Sequence, residues 1–267
     1  MLFLGNDCTV AMAEFLAGSE EVFVGLMNDK AKELGMNDTV FKNCHGIDEE
    51  GHVSSAYDIS LMSKELLQKH PDITKYTTIW MDSLRNGQSS LVNTNKLVRN
   101  YQGCTGLKTG STSLALYNLS ASATRDNLSL IAVVLKGPTS QIRFNDARKL
   151  LDYGFTNFKF EQTSTKGTVV KSVPIDKGVE KELNLVYERD SGILIQKSNS
   201  SNIEQEIIIN ENISAPISQG QILGTVYFYL DDKVLDVVNL VAEKEVAKLS
   251  VFSMYSYITE AWVNLLR

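Results

Sequence analysis

Apolar residues recur every three or four positions in the N-terminal part of the chain, which is the spacing of one helix face. The pattern predicts helices over residues 7–17 and 20–34, and Gly35 ends the second of these. A third helix is predicted over 56–70, with serines before it as candidate N-caps and Pro71 after it. The start of the chain therefore contributes a helical layer to its domain.

Three strand-like segments follow, each bounded by glycine or by polar turn residues. They cover residues 103–110, 115–124 and 128–135, and the polar turn at Asp126 joins the last two into a hairpin. A further helix is predicted over 139–153. Helices and an antiparallel sheet together indicate a mixed α/β (α+β) domain over residues 1–157.

The pattern changes after this point to short alternating runs separated by turn residues. Such runs at close spacing predict a small antiparallel β-sandwich over residues 158–242, with the domain boundary near Phe158. Residues 243–267 are predicted to form a C-terminal amphipathic helix. Its apolar face consists of Val251, Tyr255, Ile258, Trp262 and Leu265.

Composition narrows the possible partners. The net charge is −6, the pI is about 5.2 and no stretch of Lys and Arg forms a basic stripe, so a nucleic-acid partner is not expected. No apolar run is long enough to cross a bilayer, and the chain begins without a recognisable export signal. The three cysteines are far apart and form neither a CxxC pair nor a disulfide framework. No cofactor motif is present.

The strongest chemical signal is the triplet Lys108, Thr109 and Gly110 on the first predicted strand. Alternation places Lys108 and Gly110 on the same face of that strand. A glycine lets a ligand lie close to the backbone, and the neighbouring ammonium can bind a carboxylate or an activated hydroxyl. The triplet alone is a weak signal because it is short.

Four further segments surround this triplet in a recognisable order. Gly5-Asn6-Asp7 opens an Ala-rich helix, the loop 43–58 leads into the next helix, and the segment 143–155, which starts at Arg143, belongs to the helix that follows the strands. Residues 214–226 lie in the β-rich region. Together with the K-T-G triplet, these segments resemble the D-alanyl-D-alanine carboxypeptidases, which are low-molecular-mass penicillin-binding proteins of the S11 peptidase type.

The resemblance implies a fold and a reaction. The fold is a serine β-lactamase/D,D-peptidase-like domain followed by a small β domain and often by a membrane anchor. In this family the serine of an S-x-x-K motif attacks the penultimate D-alanyl carbonyl of a peptidoglycan pentapeptide, D-alanine leaves, and water hydrolyses the acyl-enzyme. The lysine of that motif is the base, and β-lactams acylate the same serine.

The resemblance also assigns roles to residues of this chain. Lys108 and Thr109, together with Gly110, would bind the terminal carboxylate of the substrate. The backbone N–H of Ser111 would be an oxyanion-hole donor. Asn6 would hold the peptide amide of the substrate and act with Lys108 in catalysis, and Arg143 would add positive charge nearby.

Two positions depart from the family pattern. No Ser-x-x-Lys occurs in these 267 residues, and the family places that motif well upstream of the triplet, so it would precede Met1. Leu4 stands where the family has a serine two positions before Asn6. We therefore expect a peptidase domain incomplete at its N-terminus, inactive by itself, with an apolar groove where a core helix is missing.

Two further features leave alternatives open. The cluster of His45, Asp48 and His52 could suggest a metal site, but its spacing fits no helix-based zinc motif, and the resemblance makes these residues loop-ordering; no metal is predicted. The aromatic C-terminal helix either packs against its own chain or lies in the headgroup region of a membrane, which we favour.

The sequence thus predicts a serine-type D-Ala-D-Ala carboxypeptidase that lacks its nucleophile segment. Its expected partners are stem peptides ending in D-Ala-D-Ala, a membrane surface through residues 243–267, and β-lactams once the missing segment is supplied. The expected location is the extracytoplasmic face of the bacterial membrane. The alternative is a catalytically dead protein that binds muropeptides or a cell-wall partner.

Overall fold

The computed structural model describes residues 5–199, 203–230, 232–251 and 255. The chain divides into two compact units, one ending at Asn157 and the other starting at Phe158. The helices of the first unit are α1 (Asn6–Ala17), α2 (Glu20–Glu33), α3 (Ala56–Lys69), α4 (Thr74–Thr77), α5 (Leu97–Asn100) and α6 (Ser140–Asn157). Its strands are β1 (Met81–Leu84), β2 (Ser89–Val92), β3 (Cys104–Thr112), β4 (Leu116–Arg125) and β5 (Leu128–Gly137).

The central sheet of the first unit has the antiparallel order β3-β4-β5, so β3 lies at an edge. Helix α3 packs on one face, where the hydroxyls of Ser63 and Ser120 lie 2.7 Å apart. Helix α6 packs on the other face, where Gly154 lies against Leu130. The strand residues under α6 are small and fully buried, among them Ala121, and this lets the helix approach the sheet closely.

Short helices cover the edge strand. Helices α4 and α5 both pack on β3, and the hydroxyl of Thr77 in α4 donates to the carbonyl of Thr105 at 2.5 Å. Strands β1 and β2 form a hairpin whose turn contains Arg85, Asn86 and Gly87, all with positive φ. Both strands are short and largely exposed, so the hydrophobic pattern of the chain does not predict them.

The second unit is built from strands. They are β6 (Phe158–Ser164), β7 (Val169–Pro174), β8 (Glu182–Tyr187), β9 (Ser191–Gln196), β10 (Ile203–Ile209), β11 (Ile222–Leu230) and β12 (Lys233–Ala242). Five of them form an antiparallel sheet in the order β10-β11-β12-β8-β7, and β6 pairs with β9. Leu185, Val226, Val238 and Leu240 are fully buried in its core. The fold-class prediction, a mixed α/β domain followed by a β-rich one, is confirmed.

The predicted helix over 243–267 is wrong in its first part. Residues 243–250 contain no helix; instead Val246 bridges to Ile217 and Lys248 to Gly178. Val246 is buried in the core of the second unit, so tertiary burial overrides the local helical spacing. The rest of the predicted helix lies outside the described residues, apart from Val251 and Tyr255. No described helix is both long and apolar enough to cross a membrane.

Two helices of the first unit leave an apolar groove. It has a volume of about 270 Å³ and is lined mainly by residues of α2, with Met62 of α3 on its other side. Leu26 on its rim is more than half exposed, and Met62 is 39% exposed. An exposed apolar surface of this kind suits a protein partner or a further chain segment.

Candidate active site

The predicted triplet lies on β3, at the edge of the central sheet. Lys108 pairs in register with Ser120, whose hydroxyl contacts α3, so Lys108 and Gly110 face the α3 side. Thr109 pairs with Leu119 and is 6% exposed, so its side chain points toward the opposite face. The strand therefore presents an ammonium and an open backbone on one face and a buried hydroxyl on the other.

The ammonium of Lys108 is held close to the strand. Its Nζ donates to the main-chain carbonyl of Thr109 at 2.8 Å, which uses one of its three N–H donors. Burial lowers the pKa of Lys108 from its usual value, and the nearby guanidinium of Arg143 lowers it further. Two cationic groups in a partly desolvated site favour an anionic ligand.

Arg143 of α6 is hydrogen-bonded to β3. It lies in the first turns of α6, is 6% exposed, and donates through one guanidinium nitrogen to the carbonyls of Gly110 at 3.1 Å and Asn118 at 3.0 Å. Its guanidinium also lies over the rings of Tyr117 and Phe144. These contacts join β3, β4 and α6 at one point. Direct contact between Arg143 and a ligand stays a prediction.

Gly110 borders open space. A Cβ added there would meet nothing within 4 Å, although the residue lies in the middle of a paired strand. Its register partner Asn118 lines a cavity of about 490 Å³, together with Asp48, Ile59 and Lys136. A ligand beside the strand therefore has room on the face that carries Lys108.

The hydroxyl of Thr109 has a partner that the sequence reasoning missed. It lies 2.6 Å from the hydroxyl of Thr94, an exposed residue in the loop between β2 and α5. Two buried asparagines hold this loop: Asn93 donates to the carbonyls of Thr77 and Ile79, and Asn95 accepts from the N–H of Leu97. The only local signal was the pair of asparagines flanking a threonine, a pattern typical of Asx-type turns.

The two other predicted site residues, Ser111 and Asn6, lie on β3 and on α1. Ser111 continues β3 beyond the triplet, pairs with Tyr117 and has an exposed side chain. Asn6 is the first residue of α1, which packs on α2. The roles assigned to Asn6 and to the backbone N–H of Ser111 stay predictions.

The polar loop before α3 is ordered by carboxylates. Asp58 is 1% exposed and accepts hydrogen bonds from the hydroxyl of Thr39 at 2.6 Å and the N–H of Asp38 at 2.9 Å. Asp48 accepts from the N–H of Leu114, just after β3. Among the residues that the structure describes, no three His, Cys, Asp or Glu side chains converge as metal ligands. The carboxylates of Asp48 and Asp58 here order the loop.

Family comparisons agree with this geometry. The model of the D-alanyl-D-alanine carboxypeptidase family matches residues 1–139, and that of the penicillin-binding protein 5 C-terminal domain matches residues 158–248. The chain belongs to the D-alanyl-D-alanine carboxypeptidase family. The predicted resemblance is thereby confirmed.

Individual members of this family cover nearly the whole chain. It is 42% identical to the carboxypeptidase DacF of Bacillus subtilis, over 97% of this chain and 68% of DacF. It is 34% identical to DacA of Escherichia coli, over 93% of this chain and 62% of DacA. The crystal structure of penicillin-binding protein 5 from Haemophilus influenzae superposes with a TM-score of 0.69 at 32% identity, covering 91% of this chain and 71% of that one. The chain thus spans roughly two thirds of these family members.

Proposed function

We propose that this chain carries the carboxylate-binding part of a serine-type D-Ala-D-Ala carboxypeptidase site, which acts on the stem peptides of peptidoglycan. The observation that carries the proposal is the edge strand β3, where the ammonium of Lys108 and the open backbone of Gly110 share one face. A peptide laid along this edge would place its terminal carboxylate at Lys108. Membership of the carboxypeptidase family supports the same reading.

We also propose that the chain by itself does not hydrolyse the peptide bond. Acyl-enzyme chemistry needs a nucleophile with a base in hydrogen-bond reach, and the 267 residues contain no Ser-x-x-Lys. Loss of the nucleophile in a serine hydrolase lowers kcat by several orders of magnitude, leaving only what binding and electrostatics provide. With a segment that supplies the serine and lysine, the site would also react with β-lactams.

The absence of a Ser-x-x-Lys motif from these residues also favours a second candidate function. A protein that binds muropeptides without turnover would keep the strand and the cavity beside Asn118 while needing no nucleophile. For both candidates we propose a location at the outer face of a bacterial membrane, with residues 251–267 as the contact with the membrane surface.

Two measurements test the proposal. The purified chain is incubated with a fluorescent penicillin and analysed for a covalent adduct, and binding of an acetylated Lys-D-Ala-D-Ala peptide is measured by calorimetry. We expect no adduct and measurable peptide binding. A labelled band would overturn the claim that the chain is inactive alone. Absence of peptide binding would overturn the proposed function in both forms.

A further inference from the structure

The cavity beside the triplet is larger than the carboxylate contact at Lys108 requires. It has a volume of about 490 Å³, and Asn118, the register partner of Gly110, lies in its wall. Gly110 lies on the face of β3 that carries Lys108, because alternate residues of a strand share a face. A ligand held at Lys108 on this face therefore lies next to the cavity.

The described residues leave one direction along β3 open to a peptide held at Lys108. Before Lys108 the strand is covered: the hydroxyl of Thr77 donates to the carbonyl of Thr105, and a Cβ at Gly106 would lie 2.7 Å from atoms of Thr77. Beyond Lys108, a Cβ at Gly110 would meet nothing within 4 Å. A peptide whose terminal carboxylate lies at Lys108 therefore runs antiparallel to β3, with its preceding residues toward the C-terminal end of the strand.

The spacing of an extended chain decides which residue of the peptide reaches the cavity. Consecutive residues of a strand are about 3.3 Å apart, so the third residue from the C-terminus lies about 7 Å from the last one. Lys108 and Gly110 are also two strand positions apart, which places this third residue beside Gly110 and the cavity wall at Asn118. In a stem peptide that ends in D-Ala-D-Ala, this residue is a diamino acid, whose long side chain ends in an ammonium group.

The lining of the cavity suits such a side chain. Ile59 and Leu135 are half-buried and provide an apolar wall. Asp48 and Glu49 also line the cavity but are exposed, which places them toward its opening. A long aliphatic stem can lie along apolar residues while its charged end stays near water and the carboxylates.

The charged groups of the lining favour a cation. Asp48 accepts a main-chain N–H at 3.1 Å, and Glu49 accepts the side-chain amide of Asn43 at 2.9 Å, so both carboxylates are held in place. Each has a second oxygen that can accept from a ligand. Lys136 adds one positive charge, and burial lowers the pKa of His52, so the described lining carries more negative than positive charge at neutral pH.

We propose that this cavity is a subsite for the diamino acid of the stem peptide. The aliphatic part of its side chain lies along Ile59 and Leu135, and its ammonium pairs with the carboxylates of Asp48 and Glu49. This inference rests on the proposed function, because the diamino acid reaches the cavity when the terminal carboxylate lies at Lys108. It adds a preference for a free side-chain amine.

The test compares two peptides that share the terminal carboxylate and differ in the charge of the lysine side chain. Nα-acetyl-Lys-D-Ala-D-Ala keeps the ε-ammonium, and Nα,Nε-diacetyl-Lys-D-Ala-D-Ala lacks it. Calorimetry measures the affinity of each for the purified chain. We expect the free amine to bind about fivefold tighter, as for a favourable exposed ion pair. This ratio should shrink in about 0.5 M salt, which screens exposed charges.

Substitutions remove the proposed partners of the ammonium one at a time. For Glu49→Gln and for Asp48→Asn we expect the ratio to fall to about twofold, and for the double variant to fall close to one. Glu50→Gln is the matched control, because Glu50 is an exposed neighbour outside the cavity lining, and it should keep the full ratio. Thermal unfolding of each variant confirms that its fold is retained.

Each outcome decides the inference. Equal or tighter binding of the diacetylated peptide by the unchanged chain would overturn the subsite while the proposed function stands. The subsite is also overturned if the double variant keeps the full ratio, or if Glu50→Gln lowers the ratio as much as Glu49→Gln does. If the unchanged chain binds neither peptide, the proposed function fails and the inference fails with it.

Discussion

The guanidinium of Arg143 donates to the carbonyl of Gly110 at 3.1 Å, and thereby joins a buried helix residue to the strand residue that borders the ligand space. The same nitrogen reaches the carbonyl of Asn118 on the adjacent strand. The sequence predicts that Arg143 adds positive charge near the ligand. In the structure, its guanidinium also supports β3 through these hydrogen bonds. These two hydrogen bonds tie β3 and β4 to α6 near the triplet.

Replacement of Arg143 tests this support. Arg143→Lys keeps the charge but loses the planar guanidinium that lies over the rings of Tyr117 and Phe144, and its shorter side chain misplaces the donor to the two carbonyls, so we expect the free energy of unfolding to fall by about 2 kcal/mol. Urea unfolding followed by circular dichroism measures the change. Arg148→Lys, in the same helix but only half-buried, is the control and should stay within about 0.5 kcal/mol of the unchanged chain. Equal effects of the two substitutions would contradict the role of Arg143.

Substitutions at two glycines of β3 should separate an effect on peptide binding from an effect on stability. Gly110→Ala adds a methyl group where nothing lies within 4 Å, so we expect stability to change by less than about 0.5 kcal/mol while peptide binding weakens. Gly106→Ala places its Cβ 2.7 Å from atoms of Thr77 at a φ of +141°, so we expect a loss of about 2 kcal/mol or more. Urea unfolding and calorimetry on both variants separate the two effects. Unchanged peptide binding by Gly110→Ala would mean that ligands do not approach this strand edge.

Tyr101 gives a pH-dependent prediction. Burial, with a further contribution from its hydrogen bond to Asp152 at 2.7 Å, raises the pKa of Tyr101 to about 12. The unfolded chain ionises Tyr101 near pH 10, whereas the folded chain keeps it neutral. Stability from this group is therefore complete below pH 10 and is lost as the pH rises from 10 to 12, by at most about 3 kcal/mol.

The measurement compares the chain with its Tyr101→Phe variant by urea unfolding at several pH values. Lysines also titrate in this range, so the informative quantity is the difference between the two proteins. We expect that difference to change progressively above pH 10, because only the unchanged chain has the phenol. A difference that is constant from pH 8 to pH 11.5 would contradict the raised pKa.

Asp58 tests the ordering of the loop before α3. The N–H of Asp38 and the hydroxyl of Thr39 donate to the same carboxylate oxygen of Asp58, and Asp58 lies in the first turn of α3. Asp58→Asn removes the charge that strengthens these bonds, so we expect a loss of about 2 kcal/mol in the free energy of unfolding. Asp72→Asn, which removes only an exposed ion pair with Lys75, is the matched control and should change little. A similar loss in both variants would argue against a special role of Asp58.

Much of the local structure could be predicted because it depends on local periodicity. The predicted helix over 56–70 is observed as Ala56–Lys69, and the strand over 128–135 as Leu128–Gly137. The error at residues 243–250 has a physical cause. Val246 precedes the apolar face predicted from Val251 onward, and the core of the second unit buries it in an extended segment. The spacing of apolar residues along the chain shows which side chains tend to be buried. It does not show which surface of the fold buries them.

The sequence by itself determined the family, the strand that carries the triplet and the shared face of Lys108 and Gly110, because strand alternation is a property of consecutive residues. Only the tertiary structure decided that Arg143 lies beneath Gly110 and that Thr94 holds the hydroxyl of Thr109. Those contacts join segments 33 and 15 residues apart in the chain. Their existence depends on how helices and loops pack on the sheet, which no local pattern specifies.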